Sequence, residues 1–104
     1  MKKLMYTLDN VRKVPVVDAK QLATLTPVEA EVLSRVEDRR VRKTNLEKAL
    51  TLGKSVKFKT SIVFDAKEGR HCVCDLVVSY AKDTVWFPGG INLPLHCIRS
   101  VDFL

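Results

Sequence analysis

From Lys54 onward the hydrophobic pattern has a period of two. Val56, Phe58, Thr60, Ile62 and Phe64 share one parity and Ser55, Lys57, Lys59 and Ser61 the other. This predicts a strand with one buried and one wet face, because strand side chains alternate across the sheet. Asp65 to Gly69 is a charged, glycine-ended loop. Beyond it Cys72, Cys74, Leu76, Val78 and Tyr80 alternate with His71, Val73, Asp75, Val77 and Ser79, so the two segments pair as a long hairpin. Ala81-Lys82-Asp83 and Pro88-Gly89-Gly90 are turn signals bounding strands at Thr84 to Phe87 and Ile91 to Leu93. Pro94 to Ile98 suits a single helical turn, and Arg99 to Phe103 a last strand with Val101 and Phe103 on one face.

Upstream the period is helical. Thr26-Pro27-Val28-Glu29 combines a hydroxyl cap, a first-turn proline and a glutamate that can reach back to the cap amide, so a helix is expected to start there. Val28, Val32, Leu33 and Val36 form its inward stripe. The pattern weakens through Arg39 to Lys43, and Thr44-Asn45-Leu46-Glu47 is a second capping box. The expectation is a break near Lys43, then a short helix carrying Leu46, Ala49 and Leu50, capped by Gly53 in the left-handed conformation; one continuous bent helix is the alternative. Before this, Leu4, Tyr6 and Leu8 alternate with Met5 and Thr7, and Val14, Val16 and Val17 bracket Pro15, as in an extended arm with an edge strand. Asp18 can cap a helical turn over Ala19 to Ala23.

The elements add up to an α+β fold. A small, strongly bent five-stranded antiparallel barrel is preceded by one or two helices and an N-terminal extended segment. Residues 1–104 form a single domain, with an arm at 1–25, a helical region at 26–52 and the barrel at 53–104. Gly89-Gly90-Ile91-Asn92-Leu93-Pro94-Leu95-His96-Cys97-Ile98, followed by Val101 and Phe103, resembles the ending of an Sm-like barrel. The resemblance covers residues 53–104 and implies a helix packed before the barrel. Leu50-Thr51-Leu52-Gly53 leading into a lysine-rich strand is also similar to a group of small bacterial proteins of unknown function. Neither likeness implies an activity.

With 46% hydrophobic and 29% charged residues in 104 positions, the chain can build one core and falls outside the disordered and collagenous classes. No apolar run approaches the ~18 residues of a membrane helix. Asp9, Asn10, Arg12 and Lys13 follow the basic start Met1-Lys2-Lys3 where a secretion signal would be apolar. Three cysteines without framework spacing fit reduced thiols in a cytoplasmic protein. The formal charge of +6 is concentrated in residues 35–59, which hold nine basic and three acidic groups.

That concentration makes a polyanion, RNA or single-stranded DNA, the expected partner of one region. The candidate contacts are Arg39, Arg40, Arg42 and Lys43 on the helix, a second row of Lys54, Lys57 and Lys59 on the solvent face of the first long strand, and Trp86 as a stacking ring. Trp86 and Phe87 point to opposite faces of one strand, so one of them is expected to be exposed. A merged patch beside that ring would favour nucleic acid. Rows on opposite sides, or cations paired individually to Glu37, Asp38, Glu47 and Asp75, would make them solubilising groups, complementing a helix C-terminus and guarding a strand, and would favour an interaction module instead.

Cys72 and Cys74 share a strand face with Leu76 and Val78 and read as core residues; a zinc set of Cys72, Cys74, Cys97 and His96 is disfavoured by its spacing. Asp75 reads as solvent-facing or paired with Lys57 or Lys59. Among the residue patterns we find no phosphate loop, nucleophile elbow or metal-protease motif. The expectation is therefore a noncatalytic binding module without a cofactor, a membrane or an evident small-molecule substrate. The alternative is a protein-interaction or homo-oligomer module that has no nucleic-acid ligand.

Overall fold

The longest element is helix α1, Val36–Val56. Its buried positions are Arg42, Leu46, Ala49 and Gly53, spaced four, three and four residues apart as one face of a continuous helix requires. No break occurs at Lys43. The computed structural model describes residues 6–9 and 12–103; the readings at Met1-Lys2-Lys3, Leu4, Met5 and Asn10 fall outside the described residues.

Helix formation begins nine residues later than a cap at Thr26 suggests, because tertiary partners take the groups that a cap would use. The Thr26 amide and hydroxyl donate to the two Glu68 carboxylate oxygens at 2.8 and 3.1 Å. Val28 N donates to Asp65 O, and Val32 N to His96 O. His96 Nε2 returns a bond to Val28 O at 2.8 Å. Residues 26–35 thus form a strap laid over the sheet, bridged to it at Pro27 and Ala66. Val36 ends the expected inward stripe but is exposed. Gly53 is not a cap either: it lies inside α1, and Lys57 takes the left-handed position at φ 55°.

Among the described residues, eight strands form two sheets. In the larger, β1 (Tyr6–Asp9), β2 (Arg12–Val17), β3 (Thr60–Ala66), β4 (Gly69–Asp75) and β8 (Ile98–Asp102) are ordered β1-β2-β4-β3-β8. The smaller contains β5 (Ser79–Ala81), β6 (Thr84–Phe87) and β7 (Ile91–Pro94). All pairings are antiparallel except β2 with β4. The expected closed five-stranded barrel is therefore corrected to two open sheets among the described residues. The second long strand is interrupted at 76–78, where the Asp75 carboxylate accepts from Leu76 N at 2.7 Å and Val78 N donates to Trp86 O.

One core lies between α1 and the two sheets, with Leu46, Ala49, Ile62, Phe64, Val73, Val85, Phe87, Leu93 and Ile98 all buried. The opposite face of β3 and β4 carries a smaller cluster of Val14, Val63 and Cys72. Ser61 and Val63 are consequently buried as well, so β3 has no wet face.

Candidate nucleic-acid interface

Arg39, Arg40 and Lys43 lie in the first two turns of α1, and separations of three and four residues put Lys43 beside both arginines. Facing them is the turn between β5 and β6. Val36, Arg39, Arg40, Lys43, Tyr80 and Lys82 line a concavity of about 650 Å³ between these elements, which Asp83 also borders. None of the four cations has an ion-pair partner among the described residues. Burial pushes the Tyr80 phenol up from its ordinary range, keeping it a neutral hydroxyl that can donate to an anion.

Arg42 is the first correction to the expected site. It turns inward and is buried. Its guanidinium grips Glu31 with two bonds of 2.6 and 2.8 Å and donates to Ile98 O at 3.0 Å, so it ties the strap to the helix and to β8. The Arg42 hydrogen bonds hold Glu31 down to a pKa of about 2, from an ordinary 4.5.

The lysine row is the second correction. Lys57 and Lys59 precede β3 instead of projecting from it, and Lys54 lies in the last turn of α1. Lys54 stands about 21–23 Å along the helix axis from Arg39 and Arg40, at 1.5 Å per residue, and Lys57 and Lys59 follow beyond the helix end. The rows do not merge. Lys54 complements the helix C-terminus, which accounts for it without a ligand. Lys82 and Tyr80 take the place of that row. Their signal in the sequence was a turn motif only, since nothing local says that the turn approaches the helix.

Trp86 is the exposed ring of the pair and Phe87 the buried one. Trp86 shares the outer face of the smaller sheet with its pairing neighbours Ser79 and Asn92 and does not line the concavity. Asp75 turns to its own chain, accepting from Leu76 N, and not to Lys57 or Lys59. Elsewhere Asp65 receives both Arg70 and Arg99 at 2.8 and 2.9 Å.

The cysteines separate. Cys72 is buried beside Ser61, 3.0 Å from its hydroxyl, and Cys97 lies in the main core. Cys74 is exposed, against the expectation of a core position, because its side of β4 faces away from the main core and β2 pairs with β4 only at Cys72 and Val73, leaving the next position on that face uncovered. Burial raises the thiol pKa of Cys72, and that of Cys97 to about 12. In native protein one thiol, Cys74, is expected to react with an aromatic disulfide reagent within minutes, and the other two only after denaturant is added. Two fast thiols, or a fast phase that survives Cys74→Ser, would contradict this placement.

No helix among the described residues is long and apolar enough to cross a membrane, and no group of three or more His, Cys, Asp or Glu side chains is placed to hold a metal ion. Comparison with protein-family profiles, with curated proteins and with solved structures finds no match to this chain.

Proposed function

We propose that the protein is a noncatalytic binding module that takes a phosphodiester strand, RNA or single-stranded DNA, into the groove between α1 and the β5–β6 turn. The observation that carries this reading is the convergence of Arg39, Arg40, Lys43 and Lys82, unpaired, on one concavity. The Arg39/Lys43 and Arg40/Lys43 neighbours repel, an effect that Glu37 and Glu47 offset in part at helical spacing. The two expected rows do not merge and Trp86 lies apart, so the patch that would have favoured nucleic acid is not formed by them; the solubilising explanation holds for Lys54, and the reading rests instead on Lys82 joining the three helix cations. A groove walled by two elements also suits a flexible strand better than a stiff duplex.

The three free cysteines are in keeping with a reducing, cytoplasmic setting. An opened Sm-like arrangement of residues 53–104 is part of the same proposal. It is supported by the return of β8 to pair with β3 and by the single turn Leu95–Cys97 ahead of β8.

Charge-matched variants test the reading. Arg39→Ala/Arg40→Ala/Lys43→Ala and Lys54→Ala/Lys57→Ala/Lys59→Ala each remove three positive charges, so their difference reports location and not net charge. In fluorescence anisotropy with a labelled oligouridine, the first should weaken binding at least about tenfold at 0.1 M salt and the second less than about threefold. The parent should lose affinity with a log–log salt slope of about −2 to −3, as three or four phosphate contacts on a single strand imply. Equal losses, or a parent that does not bind at low salt, would contradict the proposal.

A second reading, a protein-interaction or homo-oligomer module, is favoured by the exposure of Val78 and Trp86, which are joined by the Val78 N to Trp86 O bond. Light scattering separates the two: a concentration-dependent dimer dissociated by Trp86→Ser would support it, and a monodisperse monomer would count against self-association.

A further inference from the structure

The turn between β5 and β6 has a conformation that its residues disfavour. Ala81 pairs with Thr84 across a two-residue connection, and both central residues have positive φ, 51° at Lys82 and 60° at Asp83. That is the type I′ geometry, for which Asn-Gly is the preferred pair. Asp tolerates the left-handed region; a long-chain lysine gains nothing there. The surroundings hold the turn in place: Leu95 N donates to Asp83 O at 2.8 Å, and the Thr84 hydroxyl to Lys82 O at 3.4 Å. Hairpin formation alone requires no lysine at this position.

Lys82 is unfavourable on a second, independent count. It lines a concavity that already holds Arg39, Arg40 and Lys43, so its ammonium adds repulsion to backbone strain. Strain at a non-glycine residue that the fold over-determines is characteristic of ligand clamps. We infer that the Lys82–Asp83 turn is the second jaw of the groove, a strained element retained because it sets the Lys82 ammonium against the phosphodiester strand held from the other side by α1. The inference rests on the nucleic-acid reading above and adds to it the element that opposes the helix. The Asp83 carboxylate needs no ligand to account for it, since its residue type suits the turn.

Replacing Lys82-Asp83 by Asn-Gly tests the jaw directly, because the exchange removes one positive and one negative charge and leaves the net charge unchanged. The melting temperature of Lys82→Asn/Asp83→Gly should rise by about 5 °C as strain is relieved. Its affinity for labelled oligouridine at 0.1 M salt should fall about threefold to tenfold, with a salt slope shallower by about 0.7, the value of one lost phosphate contact. A raised melting temperature with unchanged affinity and slope would make the turn a bystander and leave the groove reading intact. A lowered melting temperature would overturn the strain itself. If the unmutated protein does not bind the oligouridine at all, the groove reading has failed and the jaw with it.

Discussion

Arg42→Ala is expected to lower the melting temperature by about 15 °C. Breaking a buried ion pair by removing one partner costs about 3–5 kcal/mol, and each kcal/mol is worth roughly 4–8 °C in a domain of this size. The low end applies, because the Glu31 side chain keeps 30% of its exposure and can return to water, and because Arg42 Nε is buried without a partner even in the native protein. The loss combines two events: Ile98 O forfeits its donor, and the strap from Thr26 to Arg35 loses its attachment to the helix. Acid titrates the same contact. The Glu31 pKa of about 2 lies below its ordinary 4.5, so the pair contributes fully above about pH 4.5 and is lost as the pH falls toward 2. Urea midpoints of the parent and of Glu31→Gln should therefore differ at pH 7 and converge near pH 2.5. A gap that stays constant over that range would remove the pair as the source of acid sensitivity.

Gly53→Ala should destabilise the protein by about 2 kcal/mol, although helix propensity alone predicts a gain of about 1 kcal/mol for alanine in a helix interior. A Cβ at this position would stand 2.6 Å from Val77 O. The clashing atom is a backbone carbonyl in the segment that links β4 to β5, so relief requires α1 to move off the sheets; the upper end of the overpacking cost, about 3 kcal/mol, then applies, and the propensity gain of about 1 kcal/mol offsets part of it. Ser55→Ala, on the exposed side of the same helix, should change stability by less than about 0.5 kcal/mol. If both alanine variants melt alike, α1 does not approach Val77 as closely as described.

The sheet region was legible because its signals are local. Alternation places Ile62 and Phe64 in the core, the charged loop at Asp65 to Gly69 joins β3 to β4, and adjacent Trp86 and Phe87 divide between surface and core. The facing of the next strand, however, was read the wrong way round: Val73 and Val77 enter the main core, whereas Cys72 lies in the smaller cluster and Cys74 and Val78 are exposed. The helical region misled because the deciding contacts are distant in sequence. Thr26 carries every mark of a cap, yet Glu68, forty-two residues away, takes its amide and hydroxyl. The spacing of residues 42, 46, 49 and 53 announced one continuous helix, but an arginine in that series hid the stripe, since a buried arginine is recognisable only with its carboxylate partner in view. For the same reason the cationic run was found and its membership was not: Arg42 belongs to the fold, and Lys82 joins Arg39, Arg40 and Lys43 only through packing of a turn against a helix.

The central claim concerns where a strand sits on this surface, and a backbone amide NMR titration with an unlabelled oligouridine reads it residue by residue. Progressive shifts at residues 36–43 and 80–83, abolished by Arg39→Ala/Arg40→Ala/Lys43→Ala, are the predicted result. Shifts confined to residues 54–59, or to the outer face of the smaller sheet around Trp86, would contradict it.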